Sequence, residues 1–191
     1  MKPIELFLIS VFLTGVILKL LLIPFSDYFI VVSMIILAML YYPLGIFLYN
    51  SVGPNKIFKK SSYRSLSANR ILASIGIGLA LSIVNIGLLF KLYQLPGFNF
   101  ILTFGLILSV VALVVLVLKR RYLISIFHKN MIRRVSVCFI IGIIVYVIPE
   151  IFFVKAFFRD HPSFIKLYEQ KLANPDDEKI QRLVEEARNE L

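Results

Sequence analysis

The chain is short of the residues that most chemistry requires. Its 191 residues include one cysteine, two histidines, no tryptophan, and 11 Asp or Glu against 21 Lys or Arg. The lone Cys138 can form no intrachain disulfide. His128 and His161 fall on opposite sides of the membrane in the topology reached below, which excludes a metal shared between them. No zinc-type spacing, phosphate loop or serine-histidine arrangement occurs. Acids are missing from the connections around 50–70 and 119–134 and from the apolar runs 28–49 and 98–118. A pair of intramembrane carboxylates is therefore excluded as well. With nucleophile, base and electrophile all scarce, no catalytic residue, metal ligand or cofactor is expected.

What is present is apolar sequence. Hydrophobic residues make up 59%, charged residues only 17%, and the mean hydropathy is +0.88, the composition of an integral membrane protein. A bilayer core takes about 20 mostly apolar residues per helix. Five stretches qualify, at about 4–24, 28–49, 71–95, 98–118 and 135–157. The first is too long for a secretory signal, contains Lys19 and lacks a cleavage pattern, so it reads as a retained helix. The fifth is interrupted by Pro149-Glu150. If 135–148 only dips into the membrane, four full spans remain. The expected fold is an all-α polytopic membrane bundle of two parallel-repeat hairpins and a fifth helix over 1–158, followed by a soluble helical hairpin over 159–191.

The net charge of +10 is unevenly placed. Lys56, Lys59, Lys60, Arg64 and Arg70 lie between the second and third apolar runs, and Lys119, Arg120, Arg121, Lys129, Arg133 and Arg134 between the fourth and fifth. The turns at Pro24-Phe25-Ser26-Asp27 and Pro96-Gly97-Phe98-Asn99 hold no cation. This alternation is the positive-inside pattern, with a cytoplasmic N-terminus and, after five spans, an extracytoplasmic C-terminus. The charge therefore points to anionic lipid at the basic loops and not to nucleic acid. Within 119–134, Tyr122, Leu123, Ile126 and Phe127 share a helical face, as expected of a short interfacial helix.

The two hairpins repeat each other. Gly15-Val16-Ile17-Leu18-Lys19-Leu20 with Pro24 matches Gly87-Leu88-Leu89-Phe90-Lys91-Leu92 with Pro96, each position 72 residues from its counterpart. The same offset places Ser10 on Ser82, Asp27 on Asn99, Tyr28 on Phe100 and Ile35 on Ile107. Pro24, Pro96 and Gly97 mark the turns. Each copy keeps a lysine inside apolar sequence just before its turn, and Glu150 lies at similar depth in the fifth run. An unpaired charge there costs a few kcal/mol. Lys19, Lys91 and Glu150 are thus the candidate functional residues, either with a lysine paired to Glu150 or with the lysines reaching headgroups through their own stems.

Small residues mark the expected packing surfaces. Ser74, Gly78 and Ser82 recur every four residues in the third run, with Gly76 and Ala80 as a second pair, while Gly105, Ser109 and Ala112 serve the fourth. Such spacing lets membrane helices approach closely, within this bundle or against a partner. Asn85 needs a hydrogen-bond partner in the same region. In the tail, Phe164, Ile165, Tyr168 and Leu172 form one stripe and Ile180, Leu183, Val184, Ala187 and Leu191 another. Asn174-Pro175-Asp176-Asp177-Glu178 between them predicts a helix start capped by Asn174. So small a hairpin is expected to dock on the membrane domain, a second copy or a partner.

The segment Gly87 to Gly97, running into Leu102-Thr103-Phe104-Gly105-Leu106, resembles the transmembrane hairpin of the GldL family, inner-membrane motor components of bacterial gliding and type IX secretion. The likeness is strongest over about thirty residues and extends weakly to the copy around Lys19 and Pro24. It implies a bacterial inner-membrane hairpin in which Lys91, and Lys19 in the other copy, match a lysine of a proton-driven core. The family's carboxylate in the following helix has no counterpart in 98–118, and Gln94-Leu95 replaces its histidine and tryptophan. The sequence thus points first to a non-enzymatic membrane scaffold or accessory subunit that packs on other membrane subunits or on itself, with a tail for protein contact. The alternative is an ion- or proton-coupled device, motor or small transporter, using Lys19, Lys91 and Glu150.

Overall fold

A computed structural model describes residues 2–42, 45, 49, 68–118 and 126–190, and these are all-helical. Eight helices run in the order α1 (Lys2–Leu20), α2 (Ser26–Tyr41), α3 (Ala68–Leu92), α4 (Phe98–Leu118), α5 (Ile126–Val147), α6 (Glu150–Phe157), α7 (Pro162–Ala173) and α8 (Glu178–Asn189). Four of them, α1, α3, α4 and α5, are long and apolar enough to cross a membrane. The described part of α2 has 16 residues, a rise of about 24 Å against a hydrocarbon core of about 30 Å. Gly45 and Tyr49 beyond it are also helical. The remainder of the expected span 28–49, and the cations Lys56, Lys59, Lys60, Arg64, Lys119, Arg120 and Arg121, lie outside the described residues.

Helix α3 is the centre of the bundle. More than half of its apolar window (56%) is buried, against 17–22% in α1, α4 and α5. It packs on α2, α4, α5 and α6, while α1 packs on α2. The outward faces of the long helices carry exposed Leu13, Ile17, Ile107, Val111, Ile140 and Ile144, as hydrocarbon requires. One core cluster lies toward the turns and includes Ile30, Leu88, Leu102, Phe153, Phe157, Phe164, Tyr168 and Val184. The other lies toward the opposite end around Leu8, Leu37, Tyr41, Leu81, Leu116 and Val135.

Both hairpins close in the same way. Helix α1 ends with Leu22 in the left-handed region (φ 57°), its N–H bonded to the Lys19 carbonyl at 3.0 Å and the Ile23 N–H to the Leu18 carbonyl at 3.0 Å. Helix α3 ends with Gln94 at φ 51° and the corresponding bonds Gln94 to Lys91 (3.4 Å) and Leu95 to Phe90 (2.9 Å). These are Schellman ends, built here without glycine at the left-handed position. A second left-handed residue follows in each turn, Phe25 (φ 66°) and Gly97 (φ 78°). Just inside the turns, a Cβ on Gly15 would sit 2.9 Å from the Ile30 side chain, and one on Gly87 would sit 2.7 Å from the Leu102 Cα. All of these positions correspond at the offset of 72.

The fifth apolar run differs from expectation. Helix α5 runs from Ile126, so Ile126 to Arg134 are continuous with the apolar helix, while Tyr122 and Leu123 of the expected interfacial helix lie outside the described residues. The span expected at 135–157 is broken at Ile148-Pro149, because proline has no N–H to continue the ladder and its ring clashes with the preceding turn. Helix α6 restarts at Glu150 and packs on α3 and α1. The tail docks on this chain's own turn end. Phe164 and Tyr168 of α7 and Val184 of α8 are buried there, while Leu172 and Leu183 stay exposed. Asp177, not Asn174, caps α8 by accepting from the Lys179 and Ile180 N–H groups, and Asn174 closes α7 instead. With Pro175 three residues before α8 begins, the acid nearest the helix takes the orphan donors.

Candidate functional site

Polar side chains gather at two levels of the bundle. At the turn end, Lys19 in the last turn of α1 and Asp27 in the first turn of α2 are brought together by the hairpin, with Nζ 2.9 Å from Oδ2. The Tyr93 hydroxyl donates to the other carboxylate oxygen at 2.6 Å. In the second hairpin the counterpart of Asp27 is Asn99, so Lys91 has no acid across its own turn.

Lys91 is buried (3% exposed) and donates to the Tyr146 carbonyl at 2.7 Å. Its ammonium also lies 5.4 Å from the Tyr146 ring centroid and 6.0 Å from that of Phe153. The Tyr146 carbonyl is free because α5 stops at Val147, leaving its last carbonyls without helical donors. A cation at a helix C-terminus is favoured by the helix dipole, and the break sets Glu150 at the N-terminus of α6, where an acid is favoured. Of the two alternatives for the lysines, the pair with Glu150 is not the contact observed. Glu150 accepts from the Asn99 amide at 3.3 Å and meets the Tyr168 hydroxyl at 2.8 Å. Lys19 has found a nearer acid, and Lys91 a carbonyl.

Gln94 joins these groups to the tail. Its amide nitrogen donates to the Lys91 carbonyl at 2.7 Å, which directs its oxygen to the Tyr168 hydroxyl, also 2.7 Å away. Tyr168 therefore faces two acceptors, Gln94 Oε1 and Glu150 Oε2, with one proton to donate. Arg188 of α8 donates to the Gln94 backbone carbonyl at 3.1 Å. Burial, with the Glu150 carboxylate beside it, pushes the Tyr168 hydroxyl above the usual tyrosine range. Burial and the bond to Asp27 do the same for Tyr93. Between turn 1 and the tail lies a cleft of about 260 Å³ lined by Lys19, Asp27, Tyr93, Leu95, Phe158, His161 and Arg188.

At the opposite end, Glu5 of α1 is buried against Arg134 of α5, with Nη2 2.5 Å from Oε2. The Tyr41 hydroxyl donates to the other Glu5 oxygen at 3.2 Å. Arg134 also stacks 5.6 Å above the Tyr49 ring, whose hydroxyl is the buried side-chain polar atom without a partner among the described residues.

The packing residues take up inter-helix positions. Ser74, Gly78, Ser82, Gly105 and Ser109 are buried. Gly78 lies against the Tyr41 carbonyl, and a Cβ on Gly105 would come within 2.8 Å of the Val84 backbone nitrogen. Gly76 faces away from the chain, with nothing within 4 Å of where its Cβ would be. Asn85 donates to the Met34 carbonyl at 2.6 Å, joining α3 to α2. Pro24, Pro96 and Gly97 are exposed in the turns.

Sequence reasoning missed Glu5, Asp27, Tyr93, Gln94, Tyr168 and Arg188 as network members. The offset of 72 offered one usable signal, since Gln94 stands where the first copy has Leu22. Among the described residues, no three His, Cys, Asp or Glu side chains could hold one metal ion. Protein-family models, curated protein sequences and solved structures, when searched, yield no match to this chain. The fold defines a helical membrane protein.

Proposed function

We propose that this protein is a non-enzymatic integral membrane scaffold or accessory subunit, which packs its helices against partner membrane proteins and holds its tail as a fixed platform for protein contact. One observation carries the reading. Gln94, Tyr168 and Arg188 fasten the tail to the membrane bundle, so that the polar groups at the turn end lock helices together. The positive-inside pattern supports a cytoplasmic N-terminus with turns and tail outside, and the resemblance to the GldL hairpin supports a bacterial inner membrane. Purification in mild detergent tests this: a partner subunit should accompany the intact protein and be lost when Gln94→Leu releases the tail. A partner retained equally by both would overturn the platform role.

A second reading has its own observation. Lys91 is buried, meets no carboxylate at ion-pair distance, and caps a helix broken within the membrane domain, as half-helix ends do in some transporters. Together with the GldL-like hairpin, this favours an ion- or proton-coupled device. Lys91→Met that leaves the protein folded but abolishes a proton-motive-force-dependent activity would establish it over the scaffold. Unchanged activity in that variant would remove it.

A further inference from the structure

We infer that the cleft between turn 1 and the tail binds the phosphodiester headgroup of an anionic phospholipid, a site separate from the basic connections and going beyond the scaffold reading. Lys19, Arg188 and Asp27 meet in this cleft of about 260 Å³, with Tyr93 and His161 beside them. Among the residues that line the cleft, Lys19 and Arg188 face one carboxylate, Asp27, so a single negative charge on the ligand balances them. A phosphodiester carries that charge.

The donors are available. Arg188 uses one guanidinium nitrogen on the Gln94 carbonyl, and its other N–H groups have no partner among the described residues. Guanidinium presents five donors in a fork that suits phosphate oxygens. Lys19 holds Asp27 with its ammonium and has further protons to donate. His161 adds an imidazole whose Nε2 lies 3.5 Å from Asp160 Oδ2.

The position selects a lipid over a soluble phosphate. Lys19, which lines the cleft, lies in the last turn of α1 and is followed in the chain by Leu20, Leu21, Leu22 and Ile23, all exposed. Leu95 and Phe158 line its apolar wall. A headgroup held here leaves its acyl chains against that apolar surface, at the depth where an apolar helix meets the headgroup region.

The test measures lipid retention by native mass spectrometry on the intact protein in neutral detergent. Phosphatidylglycerol should bind at one molecule per chain and persist when phosphatidylcholine does not. His161→Glu places an acid in the cleft without touching the tail's docking bonds and should weaken phosphatidylglycerol binding at least about tenfold, as expected when a charge-assisted contact is opposed. Arg188→Gln should do the same, and Arg182→Gln, on the same helix but outside the cleft, should not. Equal binding of phosphatidylcholine, or displacement of the lipid by inorganic phosphate, would overturn the lipid assignment. Binding lost in Arg188→Gln but kept in His161→Glu would trace the effect to tail release and overturn the site.

Discussion

The Tyr168 hydroxyl and the Gln94 side-chain oxygen lie 2.7 Å apart, joining the tail to the second turn across 74 positions of sequence. Tyr168 is 2% exposed, so the bond is shielded from water. Replacing it with Phe should leave Gln94 and Glu150 short of a donor and cost about 1–3 kcal/mol. Amide exchange should rise in α7 and α8 while α1 to α5 stay protected. Uniform loss of protection would show that the tail is part of the global fold and not a docked unit.

The tail should also loosen in alkali. Tyr168 and Tyr93 have hydroxyl pKa values raised above the usual tyrosine value of about 10, chiefly through burial. The unfolded chain therefore releases these protons at lower pH than the folded one, and unfolding is favoured as pH rises past about 10. Their contribution is fully present below about pH 10 and is lost above it. Thermal melts between about pH 8 and 11 should fall at the upper end. Tyr168→Phe should flatten part of that fall, and an unchanged slope would remove Tyr168 as its source.

Helix packing predicts a contrast between two residues. Gly78 sits against the Tyr41 carbonyl, whereas Val110 is 44% exposed. Gly78→Leu should force α3 from α2 and destabilise by about 1–3 kcal/mol or more. Val110→Leu should change little. Equal losses in a detergent unfolding assay would contradict the close approach of α2 and α3.

The Glu5–Arg134 pair is about nine-tenths buried on both sides, with side-chain exposures of 10% and 11%. Arg134→Met strands Glu5 and should cost about 3–5 kcal/mol, as removing one member of a buried pair does. Adding Glu5→Gln should recover much of the loss, because neither charge is then left alone. Additive losses in the double-mutant cycle would show that the two residues act independently.

Hydropathy made the long helices legible, and the shared motif located both turns, since apolar length and chain reversal are local properties. The lysine partners were less legible. Depth along a helix placed Lys91 and Glu150 in one slab but did not fix the direction each side chain takes around its axis. Asp27 read as a turn residue because it ends the Pro24-Phe25-Ser26-Asp27 turn, although the hairpin folds it back onto Lys19. Arg134 read as the basic end of an interfacial helix, because cations suit the headgroup region, yet it lies within α5 and Glu5 offers a partner from another helix. The break after Val147 was visible as Pro149-Glu150, but nothing local indicated that a lysine from α3 would cap it.

The exchange of Asp27 for Asn99 makes two hairpins of like backbone unlike in valence. The first neutralises its lysine internally, and all five residues of its turn, Leu21 to Phe25, face outward. The second turns its lysine inward, draws an acid from α6, and has Gln94 covered by the tail. A bundle of matching halves therefore has one bare corner and one occupied corner. Its turn end has a front and a back that differ in charge and in cover.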